Sequence, residues 1–190
     1  EDLWDRLLKL TKEKGIDFHN QNCASWLQEN IMMACRDPET GALYDELSAG
    51  CRSLECNVHG IGYLTWAKSR SLGFRPCLIP LNQKDYQPED TLASIADGEV
   101  IQFGSMRLNG DLVDANLQHV EFPRPCRYQD GKLNIAFSDS TGESETDIRW
   151  IKCGEILVCD RNLLVNISWD ELLYMGYVHL DTICKCNVTL

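Results

Sequence analysis

The chain has 190 residues, of which 44% are hydrophobic and 25% are charged, a composition that predicts one large or two small globular domains with a buried core. Its 18 Lys and Arg residues against 29 Asp and Glu give a net charge of -11. This balance argues against a nucleic-acid partner, which requires a basic face, and it disfavours anionic membranes. No run reaches the roughly 18 to 20 apolar residues of a bilayer span, so no membrane insertion is expected.

The first predicted element is an amphipathic helix. Apolar residues between Leu3 and Leu10 recur on one helical face, Asp2 is a suitable N-cap, and Gly15 is a suitable stop. The lysines that precede Gly15 suit the last turn of a helix. The sequence therefore predicts a helix from the beginning of the chain to the residue before Gly15.

The following segment is predicted to contain a second short helix, a turn and short strands. Ser25 and Gln28 have the spacing of a capping box, which predicts a helix over residues 25–34. Residues 37–41, Asp-Pro-Glu-Thr-Gly, predict a turn. Residues 51–81 carry glycines among aromatic residues, a pattern typical of short strands and loops.

After a predicted linker at residues 82–97, β-strand patterns dominate. The predicted elements are a strand at 99–103, hairpin turns at Asn109-Gly110 and Asp130-Gly131, strands at 147–152 and 155–159, and a short helix that Ser168 caps and Gly176 ends. We therefore predict an α+β chain with a mixed portion at residues 1–81 and a β-rich portion with short helices at residues 98–190.

Several segments resemble one group of proteins. They are Trp4-Asp5-Arg6-Leu7, Ser25-Trp26-Leu27-Gln28-Glu29, Gly73-Phe74-Arg75-Pro76, Trp150-Ile151-Lys152, and residues 156–161 and 166–172. In these segments the chain is similar to C-type-lectin-like domains of the formylglycine-generating-enzyme and phage tropism-determinant type, as found in prophage tail-associated proteins. The resemblance implies a C-type-lectin-like fold for the mixed portion.

The resemblance also implies a function. It favours a non-enzymatic binding or structural module, a tail or fibre component that recognises a surface ligand. The expected partners are other virion subunits or a cell-surface glycan or protein, and the expected assembly is a homo-oligomer. Such a protein is made in the bacterial cytoplasm and acts on the virion or at the extracellular bacterial surface.

Arg75 stands between Phe74 and Pro76 in an apolar run. A guanidinium in that setting must be hydrogen-bonded, because an unpaired buried charge is too costly. We therefore expect a structural role for Arg75, which would tie the strand at Gly73-Phe74-Arg75-Pro76 to backbone carbonyls or to a carboxylate such as Asp5.

The predicted recognition surface is rich in aromatic and amide side chains, which combine flat apolar area with adaptable hydrogen bonding. The candidate binding residues are Phe18, Asn20, Asn22, Trp26, Asn57, His59, Tyr63 and Trp66. Since tryptophan also suits a core, we expect at least one of Trp26 and Trp66 to be buried.

Two enzymatic alternatives come from the ten cysteines. Cys23 at a predicted helix start, with His119 as base, would suit a papain-like cysteine hydrolase. Cys51 and Cys56 have the spacing of the copper-binding pair of formylglycine-generating oxidases, and two thiolates suit Cu(I). We expect no cofactor and mostly reduced, buried thiols, although the even cysteine count also permits a disulfide framework.

Overall fold

A computed structural model describes residues 3–16, 18, 24–52, 61–78, 94–115, 124–126, 128–129 and 131–178. In this part of the chain the fold is mostly β-sheet with two short helices. The helices are α1, Leu3–Lys14, and α2, Trp169–Tyr174. The strands are β1, Ala24–Arg36; β2, Leu43–Arg52; β3, Ile61–Leu64; β4, Leu72–Phe74; β5, Cys77–Leu78; β6, Val100–Leu108; β7, Asp111–Leu112; β8, Arg124–Pro125; β9, Ile135–Ser138; β10, Asp147–Cys153; β11, Ile156–Cys159; and β12, Leu164–Val165.

The strands form two sheets. The first has the order β3-β2-β1-β4-β12-β8, and the second has the order β5-β11-β10-β6-β7 with β9 also paired to β6. β4 and β5 flank Arg75, and they belong to different sheets. Each sheet therefore combines strands from residues 1–81 with strands from residues 98–190. The predicted mixed and β-rich portions thus share both sheets and do not form separate sheets.

Two hydrophobic clusters pack the sheets and the helices together. The larger cluster lies among both sheets and α2, and its largest fully buried side chains are Trp150 and Trp169. The indole Nε1 of Trp150 donates to the carbonyl oxygen of Phe103 at 2.9 Å, which satisfies its polar atom inside the core. The smaller cluster packs α1 against β10 and β11 through Trp4, Leu7 and Phe18, among other residues.

Local sequence signals placed many elements correctly. α1 ends before Gly15, whose φ of +63° is the left-handed conformation that suits a helix stop. Asn109 and Gly110 both have positive φ, as the predicted two-residue hairpin turn between β6 and β7 requires. Ser168 accepts from the backbone N–H of Glu171 and completes a capping box at the start of α2.

The helix predicted over residues 25–34 is wrong, because this segment lies within β1. β1 pairs antiparallel with β2 from Ser25 to Arg36. The Ser25 hydroxyl, expected to cap a helix, instead donates to Oδ1 of Asn162 at 2.9 Å and accepts from Nε of Arg75 at 2.9 Å. Tertiary contacts therefore override the local capping pattern.

The turn predicted at residues 37–41 is confirmed and closes the β1–β2 hairpin. Oδ1 of Asp37 accepts from the backbone N–H groups of Glu39 and Thr40, at 2.8 and 2.7 Å.

The C-type-lectin-like topology stays a prediction, whereas the β-rich character and the two helices are features of the structure. No helix in the described ranges is long and apolar enough to cross a bilayer.

Candidate functional site

Arg75 is buried at the junction between the two sheets. Its side chain is only 8% exposed, its Nε donates to the hydroxyl of Ser25, and its Nη1 donates to the carbonyl oxygen of Cys159 at 2.8 Å. The expectation that Arg75 is buried and bonded to a backbone carbonyl is confirmed. This arrangement connects β4 of the first sheet to β11 of the second.

Aromatic rings cover the guanidinium of Arg75. Its Cζ lies 4.1 Å from the centroid of Phe18 and 5.9 Å from that of Trp4, distances typical of cation–π contacts. Phe18 is buried in the smaller cluster. The prediction that Phe18 belongs to an exposed recognition loop is therefore corrected, because its ring stacks on a buried charge.

Trp26 is also buried, and its indole Nε1 donates to the carbonyl oxygen of Ile167 at 2.9 Å. This corrects the prediction of Trp26 as a binding residue, since its ring faces the core. It also confirms that at least one of Trp26 and Trp66 is buried. Tyr63 packs edge-on against Trp26 at 6.4 Å between ring centroids.

Gly73 lies against Asn162 in the same junction. A Cβ atom at position 73 would come within 2.7 Å of Cγ of Asn162, closer than real Cβ contacts. Asn162 is itself buried and accepts from Ser25. The Gly-Phe-Arg segment is therefore a structural joint in which glycine permits the close approach of β4 to Asn162.

An exposed aromatic and carboxylate site lies on the first sheet. Trp66, in the turn after β3, is 59% exposed, and its indole Nε1 donates to Oε1 of Glu46 at 2.5 Å. Tyr44 is 45% exposed and precedes Glu46 by two residues on β2, which places both side chains on one face of the strand. We call Tyr44, Glu46 and Trp66 the Trp66 site.

Glu46 links the two aromatic residues of the Trp66 site. A hydrogen bond from the Tyr44 hydroxyl to the Glu46 carboxylate raises the pKa of Tyr44, because the anion disfavours a second negative charge beside it. The same carboxylate accepts from Trp66. Two exposed rings are thus oriented around one acceptor, an arrangement that can stack on a flat ligand face and accept hydrogen bonds from it.

The turn that carries Trp66 is anchored to α2. The carbonyl oxygen of Thr65 accepts from the backbone N–H of Asp170 at 3.0 Å. Lys68 donates to the Tyr128 hydroxyl and to Oε1 of Glu171, both at 2.5 Å. The segment between Thr65 and Lys68 is therefore held at both ends, which fixes the position of the indole.

The structure separates Tyr63 from Trp66. Tyr63 pairs with Ala49 across β2 and β3, and Ala49 lies on the opposite face of β2 from Glu46 because side chains alternate along a strand. Of the predicted binding residues in the described ranges, Trp66 alone belongs to the Trp66 site. Asn20, Asn22, Asn57 and His59 lie outside the described residues.

Tyr44 and Glu46 were not predicted as site residues. The alternation of residues 43–47, Leu-Tyr-Asp-Glu-Leu, does carry a signal, because a period of two places Tyr44 and Glu46 together if the segment is a strand. Their proximity to Trp66 comes from strand pairing and has no local signal.

The two enzymatic alternatives involve residues that the structure does not describe. Cys23, His119 and Cys56 lie outside the described ranges, and Cys51 is buried in the larger cluster. The described residues contain no group of three or more side chains that could hold a metal ion. Burial raises the pKa of Cys126 and of Cys159 to about 12, so these two thiols stay protonated at neutral pH.

No protein-family model matches this sequence, and neither a curated protein nor a solved structure matches it. The resemblance to C-type-lectin-like domains is thus supported by its sequence segments alone.

Acid should weaken the anchor of the Trp66 turn through Glu171. Partial burial raises the pKa of Glu171, but hydrogen bonds from Lys68, Ser168 and Tyr128 outweigh burial and leave the pKa below its usual value of 4.5. A carboxyl group whose pKa is lower in the folded than in the unfolded state stabilises the fold at pH values above its unfolded-state pKa. This contribution is lost as the pH falls from 4.5 through the folded-state pKa of Glu171.

We therefore expect Glu171→Gln to lose less stability than the wild type between neutral pH and about pH 3, by roughly 0.5–1 kcal/mol. Urea unfolding across this pH range measures the difference. Glu155→Gln, at an exposed residue between β10 and β11, is the matched control. Equal pH profiles for the two variants would show that the Glu171 anchor contributes nothing.

Proposed function

We propose that this chain is a non-enzymatic binding module, a virion-associated or bacterial-surface component that recognises a surface ligand through the Trp66 site. The observation that carries the proposal is the indole of Trp66, which is 59% exposed and yet held in place by its hydrogen bond to Glu46. The resemblance to prophage tail-associated domains supports the same class of function.

A fixed, exposed indole favours binding for two reasons. Its apolar face gains free energy when a ligand removes it from water. Because the hydrogen bond to Glu46 and the anchor at α2 already orient the turn, little side-chain freedom is lost on binding. An exposed tryptophan without such restraints would bind less tightly at equal contact area.

The chemistry of the Trp66 site points to a neutral glycan as the ligand. An ionised carboxylate only accepts hydrogen bonds, so Glu46 suits a ligand that offers donors such as sugar hydroxyls. The apolar C–H face of a sugar ring can lie on the indole at the same time. The net charge of -11 disfavours an anionic polysaccharide.

Isothermal titration with neutral oligosaccharides from bacterial surface polysaccharides tests the proposal. We expect Trp66→Ala to weaken binding by about tenfold or more, as for an aromatic hot spot, and Trp66→Phe to weaken it less. Tyr174→Ala, at an aromatic residue on α2 that is 94% exposed and outside the Trp66 site, should bind as the wild type does. Equal affinity of Trp66→Ala and wild type would contradict the proposal.

A thiol-directed reagent at pH 6 separates the binding module from the cysteine hydrolase. A binding module should show only slow labelling, at accessible thiols such as the exposed Cys77 and the half-buried Cys35, whereas fast and selective labelling of Cys23 would favour the enzyme. Stoichiometric Cu(I) binding that is lost on replacing Cys51 or Cys56 would instead favour the copper-dependent oxidase.

A further inference from the structure

The hairpin of β1 and β2 extends beyond its neighbours in the first sheet. β4 pairs with β1 only at Ala24 and Ser25, and β3 pairs with β2 only over residues 48–51. We call residues 32–47 the β-arm. Within the described ranges, residues 32–36 and 43–47 pair with each other and with no further strand.

Cross-strand pairs define the two faces of the β-arm, because paired residues point to the same side of a sheet. We call one side the Met32 face, and it is formed by Met32, Ala34, Arg36, Leu43, Asp45 and Leu47. On β2, the same side continues inward to Ala49 and Cys51, which are buried in the larger cluster. The Met32 face is thus an outward extension of the side that faces the core.

The Met32 face exposes large apolar side chains. Met32 is 62% exposed and Leu43 is 69% exposed, whereas Leu47, nearer the body, already packs against the larger cluster. A two-stranded ribbon is marginally stable by itself in water and needs a covered apolar face. An apolar face that continues from the core into solvent indicates a surface that another protein covers.

The charges of the Met32 face favour a second copy of this chain as its partner. The face carries one cation, Arg36, and one anion, Asp45, so it is neutral although the whole chain has a net charge of -11. The guanidinium of Arg36 donates to the carbonyl oxygen of Gly41, which holds it near the tip. When two such faces meet, each cation can lie beside the anion of the other copy.

We propose that two copies of this chain associate by packing their Met32 faces together. In a two-fold arrangement, Met32 and Leu43 of both copies bury one continuous apolar patch, and Arg36 of each copy lies near Asp45 of the other. Tyr44 and Glu46 lie on the opposite face of the β-arm. Both Trp66 sites therefore stay accessible in the dimer, and the proposal does not depend on what they bind.

Sedimentation equilibrium with a pair of lysine variants tests this dimer. The wild type should be dimeric at about 100 µM, and Leu43→Lys should weaken association by about tenfold or more. Tyr44→Lys, which adds the same charge at the neighbouring residue on the opposite face, should remain dimeric. A monomeric wild type, or equal weakening by both variants, would overturn the proposal.

A charge exchange gives a second, independent test. Arg36→Asp should weaken the dimer because it places an acidic side chain of one copy beside Asp45 of the other. Arg36→Asp combined with Asp45→Arg should restore association. Failure of the double variant to associate, with an unfolding midpoint equal to that of the wild type, would overturn the contact. Trp66→Ala should stay dimeric, so loss of ligand binding and loss of dimerisation are separately observable.

Discussion

Replacement of Arg75 by methionine should lower the free energy of unfolding by about 3 kcal/mol, the largest effect that we expect from one substitution. Methionine keeps much of the volume but provides no donor for the Ser25 hydroxyl or for the carbonyl oxygen of Cys159. It also removes the cation from the Phe18 ring. Because the junction is buried, water cannot replace these hydrogen bonds without opening the structure.

Urea unfolding monitored by circular dichroism measures this loss. Arg70→Met, at an exposed residue in the turn before β4, should change stability by less than about 0.5 kcal/mol. Arg75→Lys should fall between the wild type and Arg75→Met, since an ammonium cannot reproduce the fork of the guanidinium. Equal unfolding midpoints for Arg70→Met and Arg75→Met would mean that the buried hydrogen bonds contribute nothing.

Gly73→Ala should destabilise the protein by about 2 kcal/mol, through overpacking of the same junction. The added methyl group would lie 2.7 Å from Cγ and 2.8 Å from Cβ of Asn162. Asn162 is 1% exposed and is held by the Ser25 hydroxyl, so it cannot move aside at low cost. Alanine is favourable in most backbone settings, which makes a large loss at Gly73 diagnostic of steric conflict.

A double-mutant cycle isolates the conflict between Gly73 and Asn162. Asn162→Gly removes all three atoms that the new methyl group meets, Cβ, Cγ and Nδ2, so Gly73→Ala should cost much less in that background than in the wild type. The coupling free energy is obtained from four urea unfolding curves. Strict additivity of the two substitutions would show that the cost of Gly73→Ala has another origin.

The elements with strong local signals were predictable from the sequence. The apolar period and the stop at Gly15 gave α1, and the cap at Ser168 gave α2. Strands such as β10 and β11 are buried runs separated by Gly154, which has the positive φ of a tight turn. In each case the residues that determine the element lie within it or directly beside it.

The helix prediction for residues 25–34 was wrong because residues far away in the sequence determine the structure there. The capping pattern at Ser25 favours a helix locally, but Ser25 bonds to Asn162, 137 residues away. Long-range hydrogen bonds and strand pairing outweigh a capping preference of about 1 kcal/mol. No window of neighbouring residues contains this information.

The candidate site was only partly predictable, because composition can be read from the sequence whereas long-range contacts cannot. The aromatic composition of the first half favoured a recognition surface, which stays a prediction, and of the rings proposed for it Trp66 is exposed. Composition does not distinguish a ring that stacks on a buried guanidinium, as Phe18 does, from one that faces water. The contact of Trp66 with Glu46, 20 residues away, depends on the pairing of β2 with β3.

The pairing of β4 with β12 has a consequence for synthesis of the protein. Gly73 pairs with Val165, and Phe74 pairs with Leu164, at sequence separations of 92 and 90 residues. A nascent chain therefore cannot complete the first sheet until β12 has left the ribosome, and β4 must wait with an unpaired edge. During that interval the exposed apolar edge at β4 is a potential substrate for chaperones, so productive folding should depend on how promptly translation reaches β12.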